Sequence, residues 1–269
     1  MPELPEVETA VRRLRAALAG RTIERAQALH PALARRMSPA RLRSLNGARV
    51  RDVERRGKHQ LIHLADGRVL HAHFRMTGDW VVGRADEALP RFARAALTLD
   101  DGSRVVLDDP RALSTLDLHA AGAPLGIDLG PEPADSSLTA RSLRDAFAKR
   151  RGPIKPVLLD QRVIAGLGNI YAAESLWHAR ISPVAPAASL DERQVGRLLA
   201  AIRRVIKRAT GARYTDESVS RLAVYDREGR PCRRCRTPIE RIVQAGRSTY
   251  YCPRCQPSPR VARAKRRSR

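Results

Sequence analysis

Two residues near the start of the chain, Pro2 and Glu3, are of types that can react together. If Met1 is removed, as is usual before a small second residue, Pro2 carries a free secondary amine. Such an amine is a nucleophile that can attack a sugar carbon and form an iminium, and N-terminal amines are known catalytic groups. An α-amino group titrates near ~7.7–8, so a useful fraction is uncharged at neutral pH. Glu3 stands beside it as a proton donor and acceptor.

The same opening residues also suit a purely structural role. Proline and acidic side chains are favoured in the first turn of a helix, for steric reasons and because of the helix dipole. A stripe of apolar residues at helical spacing follows, at Val7, Val11, Leu14 and Leu18. Gly20 is placed to end that helix. The opening residues alone leave open whether Pro2 and Glu3 only begin the helix or also react.

All four cysteines lie in the last forty residues, at Cys232, Cys235, Cys252 and Cys255. Two Cys-x2-Cys pairs separated by sixteen residues have the spacing of a structural zinc site. In a reducing compartment this pattern indicates metal binding rather than disulfides. Four thiolates leave no open coordination position, so we expect one structural Zn²⁺ per chain that folds the segment and takes no part in chemistry.

The segment between the cysteine pairs is predicted to form a hairpin from strands at 239–244 and 248–251, with Ala245-Gly246-Arg247 at its tip. An arginine held rigidly in this way suits a phosphate or a base, because its planar guanidinium donates two parallel hydrogen bonds. Arg247 is therefore a candidate binding residue.

The charge of the chain points to a polyanionic partner. Its 269 residues include 51 Lys and Arg against 28 Asp and Glu, a formal net charge of +23. With ordinary hydrophobic content, this surplus favours nucleic acid. The sequence has no basic amphipathic helix with an aromatic face, which would favour a membrane surface. No apolar stretch approaches ~18 residues, so no transmembrane helix is expected, and the acidic start does not resemble a signal peptide. We expect a cytoplasmic or nucleoid-associated protein with no membrane partner, and a monomer because no dimerisation stripe is evident.

The expected fold class is α+β and multidomain. In the first half, Asp66-Gly67 and Asp101-Gly102 are flanked by apolar strands and predict hairpins, which favours an antiparallel β-sandwich with flanking helices. A stiff Gly-Pro-Glu-Pro linker at 130–133 sets the first boundary. The predicted domains are a mainly β domain with an N-terminal helix at 1–132, a helical domain at 133–228, a four-cysteine zinc finger at 229–256 and a basic disordered tail at 257–269.

The helical domain contains four predicted helices, at 138–150, from 153, at 170–179 and directly after Ser189. Ser189 and Glu192 match a capping box at the start of the last one. Its basic face is either solvated or DNA-binding, and comprises Arg197, Arg203, Arg204, Lys207 and Arg208.

Four separated blocks, taken together, resemble the bacterial formamidopyrimidine-DNA glycosylase family, which also contains endonuclease VIII. They are residues 1–9 (MPELPEVET), 55–58 (RRGK), 166–172 (GLGNIYA) and the zinc hairpin, in the family's order over essentially the whole chain. The resemblance implies a β-sandwich, a helix–two-turn–helix module and a zinc finger. It also implies that double-stranded DNA with oxidised bases or AP sites binds in the cleft between the domains.

The implied activity is that of a bifunctional DNA glycosylase and AP lyase of base excision repair. A damaged base is flipped out, because its sugar carbon cannot be reached within the stack. By resemblance, Pro2 attacks C1′ and expels the base, which leaves an iminium that permits β- and then δ-elimination. Glu3 protonates the opening sugar, and Glu6 is a supporting carboxylate near the N-terminus. Lys58 and Arg247 hold the phosphates around the flipped nucleotide.

Further DNA contacts are also implied by the resemblance, in two groups. His73 matches a phosphate-contacting histidine, Met76 fills the void left by the flipped base, and Arg111 contacts the opposite base. Leu113 stands where the family has an aromatic wedge. In the second domain, Asn169 lies in a Gly-rich turn before a helix, which suits phosphate, and Lys155 fits the DNA-binding pattern.

Three departures from the family pattern keep other functions open. Arg75 stands where the family commonly has Gly, Leu113 replaces Phe, and residues 209–224 lack the long Gly- and Thr-rich loop over an everted 8-oxoguanine. Oxidised purines remain the first expectation, with an endonuclease VIII-type enzyme for oxidised pyrimidines as the alternative. An alternative of another class is a zinc protein that binds damaged DNA without cutting it, which would not need the Pro2-Glu3 pair. A zinc-ribbon RNA binder explains the charge and cysteines but not the N-terminus.

Overall fold

The structure is a computed structural model that describes residues 2–34, 37–210 and 222–258. The chain divides into two compact units, with the first division between Leu129 and Gly130. The helices are α1 (Leu4–Leu18), α2 (Pro31–Ala34), α3 (Pro39–Arg43), α4 (Ala140–Ala148), α5 (Ile154–Leu158), α6 (Asn169–Ala179) and α7 (Glu192–Ala209). The strands are β1 (Thr22–Ala28), β2 (Ala48–Arg56), β3 (His59–Leu64), β4 (Val69–His73), β5 (Asp79–Arg84), β6 (Ala93–Leu99), β7 (Ser103–Asp108), β8 (Thr115–His119), β9 (Glu240–Gln244) and β10 (Arg247–Tyr251).

The first unit contains one antiparallel sheet that folds on itself. Its strand order is β5-β7-β6-β1-β2-β3-β4-β8, and the two halves are joined by only two residue pairs between β1 and β2. Side chains from both halves share one hydrophobic core. Within it, the indole Nε1–H of Trp80 on β5 donates to Gln60 Oε1 on β3 at 2.9 Å. The predicted sandwich is confirmed, as are the hairpins at Asp66-Gly67 and Asp101-Gly102.

Helix α1 packs its apolar stripe into this core, as its spacing predicts. Val7, Val11, Leu14 and Leu18 are all buried. The helix ends before Gly20, whose φ of +80° is accessible to glycine at little cost. Burying four apolar side chains at about 1.5–3 kcal/mol each fixes the position of the helix, and with it the residues at its N-terminus.

The second unit is mainly helical, and α7 has the buried stripe that its sequence predicts. The predicted capping box at its start is wrong in register. Asp191 Oδ1 accepts from Gln194 N at 2.7 Å and Gln194 Oε1 accepts from Asp191 N at 2.9 Å. Ser189 instead ends a short 3₁₀ helix. Ser189 with Glu192 and Asp191 with Gln194 both match the capping-box pattern. Because Ser189 belongs to the 3₁₀ helix, the second pair caps α7.

One basic residue of α7 has a structural role that its position on the basic face does not reveal. The guanidinium of Arg203 donates to three backbone carbonyls, those of Pro133 at 2.8 Å, Asp135 at 3.2 Å and Leu138 at 2.8 Å. Arg203 therefore fixes the segment that follows the 130–133 linker.

Strands β9 and β10 form the predicted hairpin, with one change at its tip. Gln244 pairs with Arg247, which leaves Ala245 and Gly246 as a two-residue turn with φ of +47° and +71°. Positive φ at both positions is typical of a type I′ turn, whose twist matches that of the strands. Arg247 is thus the first residue of β10 rather than part of the turn.

Candidate active site, DNA contacts and metal centre

The N-terminus of α1 places Glu3 at the position that caps the helix. Glu3 is 1% exposed, and its backbone N–H donates to Glu6 Oε2 at 2.8 Å. The reciprocal contact completes a capping box. The structural interpretation of these residues is therefore correct for the helix, and the capping box holds the Glu3 side chain in place at the residue after Pro2. A buried carboxylate held in one position is suited to general acid–base catalysis.

An ion pair ties this helix to the hairpin that carries Lys58. Arg55 Nε donates to Glu8 Oε2 at 2.7 Å, and both side chains are largely buried. Arg55 also donates to the carbonyl of Gly57 at 3.1 Å. Gly57 and Lys58 form the two-residue loop between β2 and β3, and Gly57 has a φ of +57°. The RRGK block therefore orients a lysine relative to α1.

His73 lies at the end of β4, where its neighbours keep it uncharged. Its ring Nδ1 accepts a hydrogen bond from Arg75 N at 3.0 Å, which places the proton of the neutral ring on Nε2. Burial, the adjacent His59 ring and the positive charges of Arg75 and Lys58 lower the pKa of His73 to about 3. His73 can therefore donate one hydrogen bond to a phosphate without changing charge at physiological pH.

Asp109, which sequence reasoning did not single out, organises the loop of the predicted wedge. Its side chain is buried, and it accepts backbone hydrogen bonds from Arg111 at 3.1 Å and from Leu113 and Ser114 at 2.7 Å. It also accepts from the Thr77 hydroxyl in the loop after β4. The Asp-Pro-Arg motif was visible in the sequence, but a short acidic residue before proline is usual in turns.

Met76, Arg111 and Leu113 are exposed on the two loops that Asp109 joins. Met76 is 38% exposed and Leu113 is 42% exposed, although both are apolar. Exposed apolar side chains on loops fixed by buried hydrogen bonds are suited to insertion between bases. The positions agree with the predicted void-filling and wedge roles, which remain predictions.

Replacing Asp109 with asparagine is expected to destabilise the first unit by about 2–4 kcal/mol at neutral pH, since several buried charge-assisted hydrogen bonds are lost. Burial alone would raise the pKa of Asp109, but hydrogen bonds from Thr77 and Ser114 outweigh it and hold the pKa below its ordinary value. The stabilisation is therefore present above the unfolded-state pKa and is lost as pH falls through the folded-state pKa. Urea unfolding of the unchanged protein and of Asp109→Asn, at pH 7 and below pH ~4, measures the difference in their free energies of unfolding. A difference that is the same at both pH values contradicts the prediction.

The structure gives a reason for the family's glycine at the position of Arg75. Arg75 has a φ of +56°, a conformation that costs a non-glycine residue about 1–2 kcal/mol. Arg75→Gly should therefore leave stability equal or raise it by up to about 1 kcal/mol, because glycine also loses more chain entropy on folding. It should also raise the pKa of His59 and His73, which Arg75 lowers. Thermal unfolding and ring-proton NMR titration measure the two effects; a loss of stability contradicts the strain argument.

In the second unit, the position of Lys155 corrects its predicted role as a DNA contact. Lys155 is 0% exposed, and its Nζ donates to Asn169 Oδ1 at 2.6 Å, Thr249 Oγ1 at 2.6 Å and the Ser248 carbonyl at 3.0 Å. Because its ammonium is buried and donates to these three acceptors, Lys155 has a structural role. Lys155 joins α5, the first residue of α6 and β10, and so positions Asn169 and the strand that begins at Arg247.

A second buried charge, Glu174 on α6, was missed by sequence reasoning. Its carboxylate accepts backbone hydrogen bonds from Ala223 at 2.8 Å, Val224 at 2.9 Å and Tyr225 at 3.0 Å. Burial raises its pKa in spite of these bonds. Glu174 anchors the chain directly after the 211–221 segment, which lies outside the described residues, as does most of the 209–224 stretch and the tail from residue 259.

The four cysteines come together as their spacing predicts. Among the described residues they are the one group of three or more suitable ligands, and their Sγ atoms lie within 4.8 Å of one another. Backbone N–H groups of Arg234 and Cys255 point to Cys232 and Cys252 sulfurs at 3.4 Å. The indole Nε1–H of Trp177 also lies 3.4 Å from Cys232 Sγ. Four sulfurs at this separation with N–H donors around them fit a tetrahedral metal ion.

Known proteins share this organisation over the full chain. The sequence profiles of the formamidopyrimidine-DNA glycosylase N-terminal domain, of the H2TH domain of the same enzymes, and of a zinc finger found in FPG and IleRS match residues 1–116, 129–219 and 229–257. A formamidopyrimidine-DNA glycosylase of Symbiobacterium thermophilum is 42% identical over 287 residues, covering 100% of this chain and 94% of the relative.

Solved structures agree with the sequence profiles. The structure of MutM in complex with DNA containing carbocyclic 8-oxo-G has a TM-score of 0.87 at 29% identity, covering 95% of this chain and 100% of that one. Lactococcus lactis formamidopyrimidine DNA glycosylase, non-covalently bound to DNA containing an AP site, has a TM-score of 0.87 at 30% identity, with coverage of 95% and 99%.

The fold, the four-cysteine centre and these matches place the chain in the class of zinc-finger DNA-repair glycosylases. Within that class, the chain belongs to the formamidopyrimidine-DNA glycosylase family. No helix in the described part of the chain is long and apolar enough to cross a bilayer.

Proposed function

We propose that the chain is a bifunctional DNA glycosylase and AP lyase of base excision repair, and that it excises oxidised purines. The observation that carries the proposal is the Glu3 carboxylate, buried at the cap of α1 beside Pro2. The substrate class rests on the relatives' names and on the 8-oxo-G and AP-site DNA in similar structures. The chromosome is then the substrate, and the protein acts at the nucleoid in the cytoplasm.

In the proposed reaction, the Pro2 nitrogen forms a bond to C1′ of the damaged nucleotide as the bond from C1′ to the base breaks. The base leaves with the electron pair and takes up a proton. Glu3 protonates the ring oxygen, which opens the sugar and leaves an iminium between C1′ and Pro2. Loss of a C2′ proton expels the 3′ phosphate, and a second elimination expels the 5′ phosphate, which leaves a one-nucleotide gap in the strand. Hydrolysis of the iminium then releases the sugar fragment and regenerates the Pro2 amine.

The surrounding residues hold the DNA in this proposal. Lys58 at its loop and the neutral Nε2–H of His73 bind phosphates near the reacting sugar. Met76 and Leu113 fill the gap left by the flipped base, and Arg111 reads the base opposite. Such apolar insertion stabilises an unstacked step.

The second unit contributes phosphate contacts through Asn169 at the start of α6 and Arg247 at the start of β10. Lys155 contacts Asn169 directly and the carbonyl of Ser248, the residue after Arg247. A helix N-terminus such as that of α6 favours an anion. Because phosphate contacts release counterions, affinity should fall steeply with salt. In this proposal residues 1–132 carry the chemistry and residues 133–228 and 229–256 bind the DNA, and no role is assigned to the basic 257–269 tail.

The metal at the four cysteines is proposed to be one Zn²⁺, held by Cys232, Cys235, Cys252 and Cys255. When bound, it supplies no reaction chemistry and fixes β9 and β10. The hydroxyl of Thr249 and the carbonyl of Ser248 on β10 accept from Lys155, so zinc also supports that contact.

The experiment that tests this function compares excision from duplexes carrying 8-oxoguanine opposite cytosine, a formamidopyrimidine, an oxidised pyrimidine or an AP site. The proposal expects release of the oxidised purines followed by cleavage on both sides of the sugar. Release of oxidised pyrimidines alone would assign the endonuclease VIII-type alternative. Binding to every duplex without release or cleavage would assign the non-catalytic alternative.

A further inference from the structure

Five of the chain's seven histidines lie on three adjacent strands, and four of them are linked by ring contacts: His59, His71, His73 and His119. Of these four, only His73 has a role in the proposed reaction. His59 on β3 is the register partner of His73 on β4. His71 precedes His73 by two residues and so shares its face of the sheet. His119 on β8 completes the group, with its ring centroid 5.6 Å from that of His71. The sheet backbone therefore holds these four imidazoles in a fixed array.

Two of these rings meet through their nitrogen atoms. His59 Nδ1 lies 2.8 Å from His71 Nε2, and their ring centroids are 4.9 Å apart. A contact of this length requires one N–H and one lone pair, so at least one of the two facing nitrogens is unprotonated. When the N–H proton of the donor ring moves to the other nitrogen of that ring, both facing nitrogens have a lone pair to donate to a metal ion.

The charges around the pair favour neutral rings. Burial, His71, Arg75 and Lys58 lower the pKa of His59 to about 4. Burial and His119 also lower the pKa of His71, although Asp117 opposes this shift. Neutral imidazole is the form that ligates metal ions, so both rings are ready ligands at pH 7.

The rest of the array adds two features that suit a cation. Asp117 is the register partner of His71 and places a carboxylate at this end of the array. The Nε2 atom of His119 is buried and has no hydrogen-bond partner among the described residues. A carboxylate beside His71 disfavours a phosphate at this end, whereas Lys58 lies at the other end, beside His59 and His73.

We propose that His59 and His71 form a site for one divalent transition-metal ion, separate from the four-cysteine centre, with Asp117 as the adjacent charge-balancing carboxylate. With bonds of ~2.05 Å, two nitrogens at right angles on one metal lie about 2.9 Å apart, against about 3.3 Å in a tetrahedron. The observed separation of 2.8 Å is close enough to these values for one metal ion to bind both nitrogens after a small movement of the rings. Imidazole nitrogen is a suitable ligand for nickel(II), copper(II) and zinc alike, and nickel(II) is the ion used to test the site.

The test is a calorimetric titration of the full-length, untagged, zinc-loaded protein with NiCl2 at pH 7.5 in the absence of DNA. One nickel ion should bind in addition to the bound zinc. His59→Gln and His71→Gln should each weaken binding at least tenfold, because a single imidazole loses the chelate. His63→Gln is the matched control on the same strand, since His63 pairs with Glu54 instead, and it should bind nickel as the unchanged chain does.

Zinc content measured by mass spectrometry after the titration separates the two metal centres. No nickel binding, or equal binding by the His59→Gln and His71→Gln variants with correct circular dichroism, would overturn the proposal. Release of zinc in step with nickel uptake would assign the nickel to the cysteines and overturn it too. The site is measured without DNA, so the result does not depend on the proposed glycosylase activity.

Discussion

Replacing Glu3 with glutamine is expected to lower base excision by about 10²–10⁴-fold, the contribution of a positioned proton donor and acceptor. Glutamine has the shape of glutamate and keeps the side-chain oxygen that caps α1, so folding and DNA binding should stay near those of the unchanged chain. Single-turnover excision and a separate DNA-binding titration measure the two quantities.

The matched control for this change is Glu6→Gln, one turn along the same helix. Glutamine at this position still accepts from the Glu3 N–H, as glutamate does at 2.8 Å, so excision should be close to normal. Glu6→Ala leaves that N–H without its acceptor and should lower excision by loosening Glu3. Normal excision by Glu3→Gln, or an equal loss in Glu6→Gln, contradicts a proton-transfer role specific to Glu3.

Replacing Cys252 with alanine is expected to remove the metal and weaken DNA binding by about 10–100-fold, the equivalent of one or two charge-assisted hydrogen bonds. A structural zinc ion contributes about 10–16 kcal/mol to folding its segment. Without it, β10 no longer holds Arg247 or offers the Thr249 and Ser248 acceptors to Lys155. Metal content and DNA affinity, measured on the same sample, test this.

Arg247→Ala is the matched control, because it removes the predicted phosphate contact from an exposed position and leaves the cysteines in place. It should bind a full equivalent of metal, weaken DNA binding and reduce the salt dependence of that binding. If the metal-free Cys252→Ala protein binds DNA as tightly as the unchanged chain, the hairpin has no part in DNA binding.

The sequence predicted the elements whose signals are local. Helix α1, the stripe of α7, the hairpins at two Asp-Gly turns and the cysteine pairs depend on spacing within a short stretch, and all of them are confirmed. The order of the eight strands was not predicted, because pairing between distant strands leaves no local pattern.

The residues whose roles were not predicted correctly have hydrogen-bond partners that are distant in the sequence. Lys155 looked like one more DNA-binding lysine, yet its acceptors Ser248 and Thr249 lie 93 and 94 residues away. Glu174 is a buried carboxylate whose backbone N–H donors lie 49 to 51 residues away. Asp109 accepts from N–H groups of its own loop, but it also accepts from the Thr77 hydroxyl 32 residues away. The histidine array needs three strands in register before His59 and His71 meet.

The central claim, that Pro2 is the nucleophile, is tested most directly by borohydride reduction on an 8-oxoguanine duplex, with Met1 removal and metal content verified by intact mass. The reaction proposed above predicts a stable protein–DNA adduct attached at the peptide that begins with Pro2, and its absence in Pro2→Gly. An adduct attached at Lys58 or another lysine, or no adduct from a processed and metal-loaded protein, would contradict it.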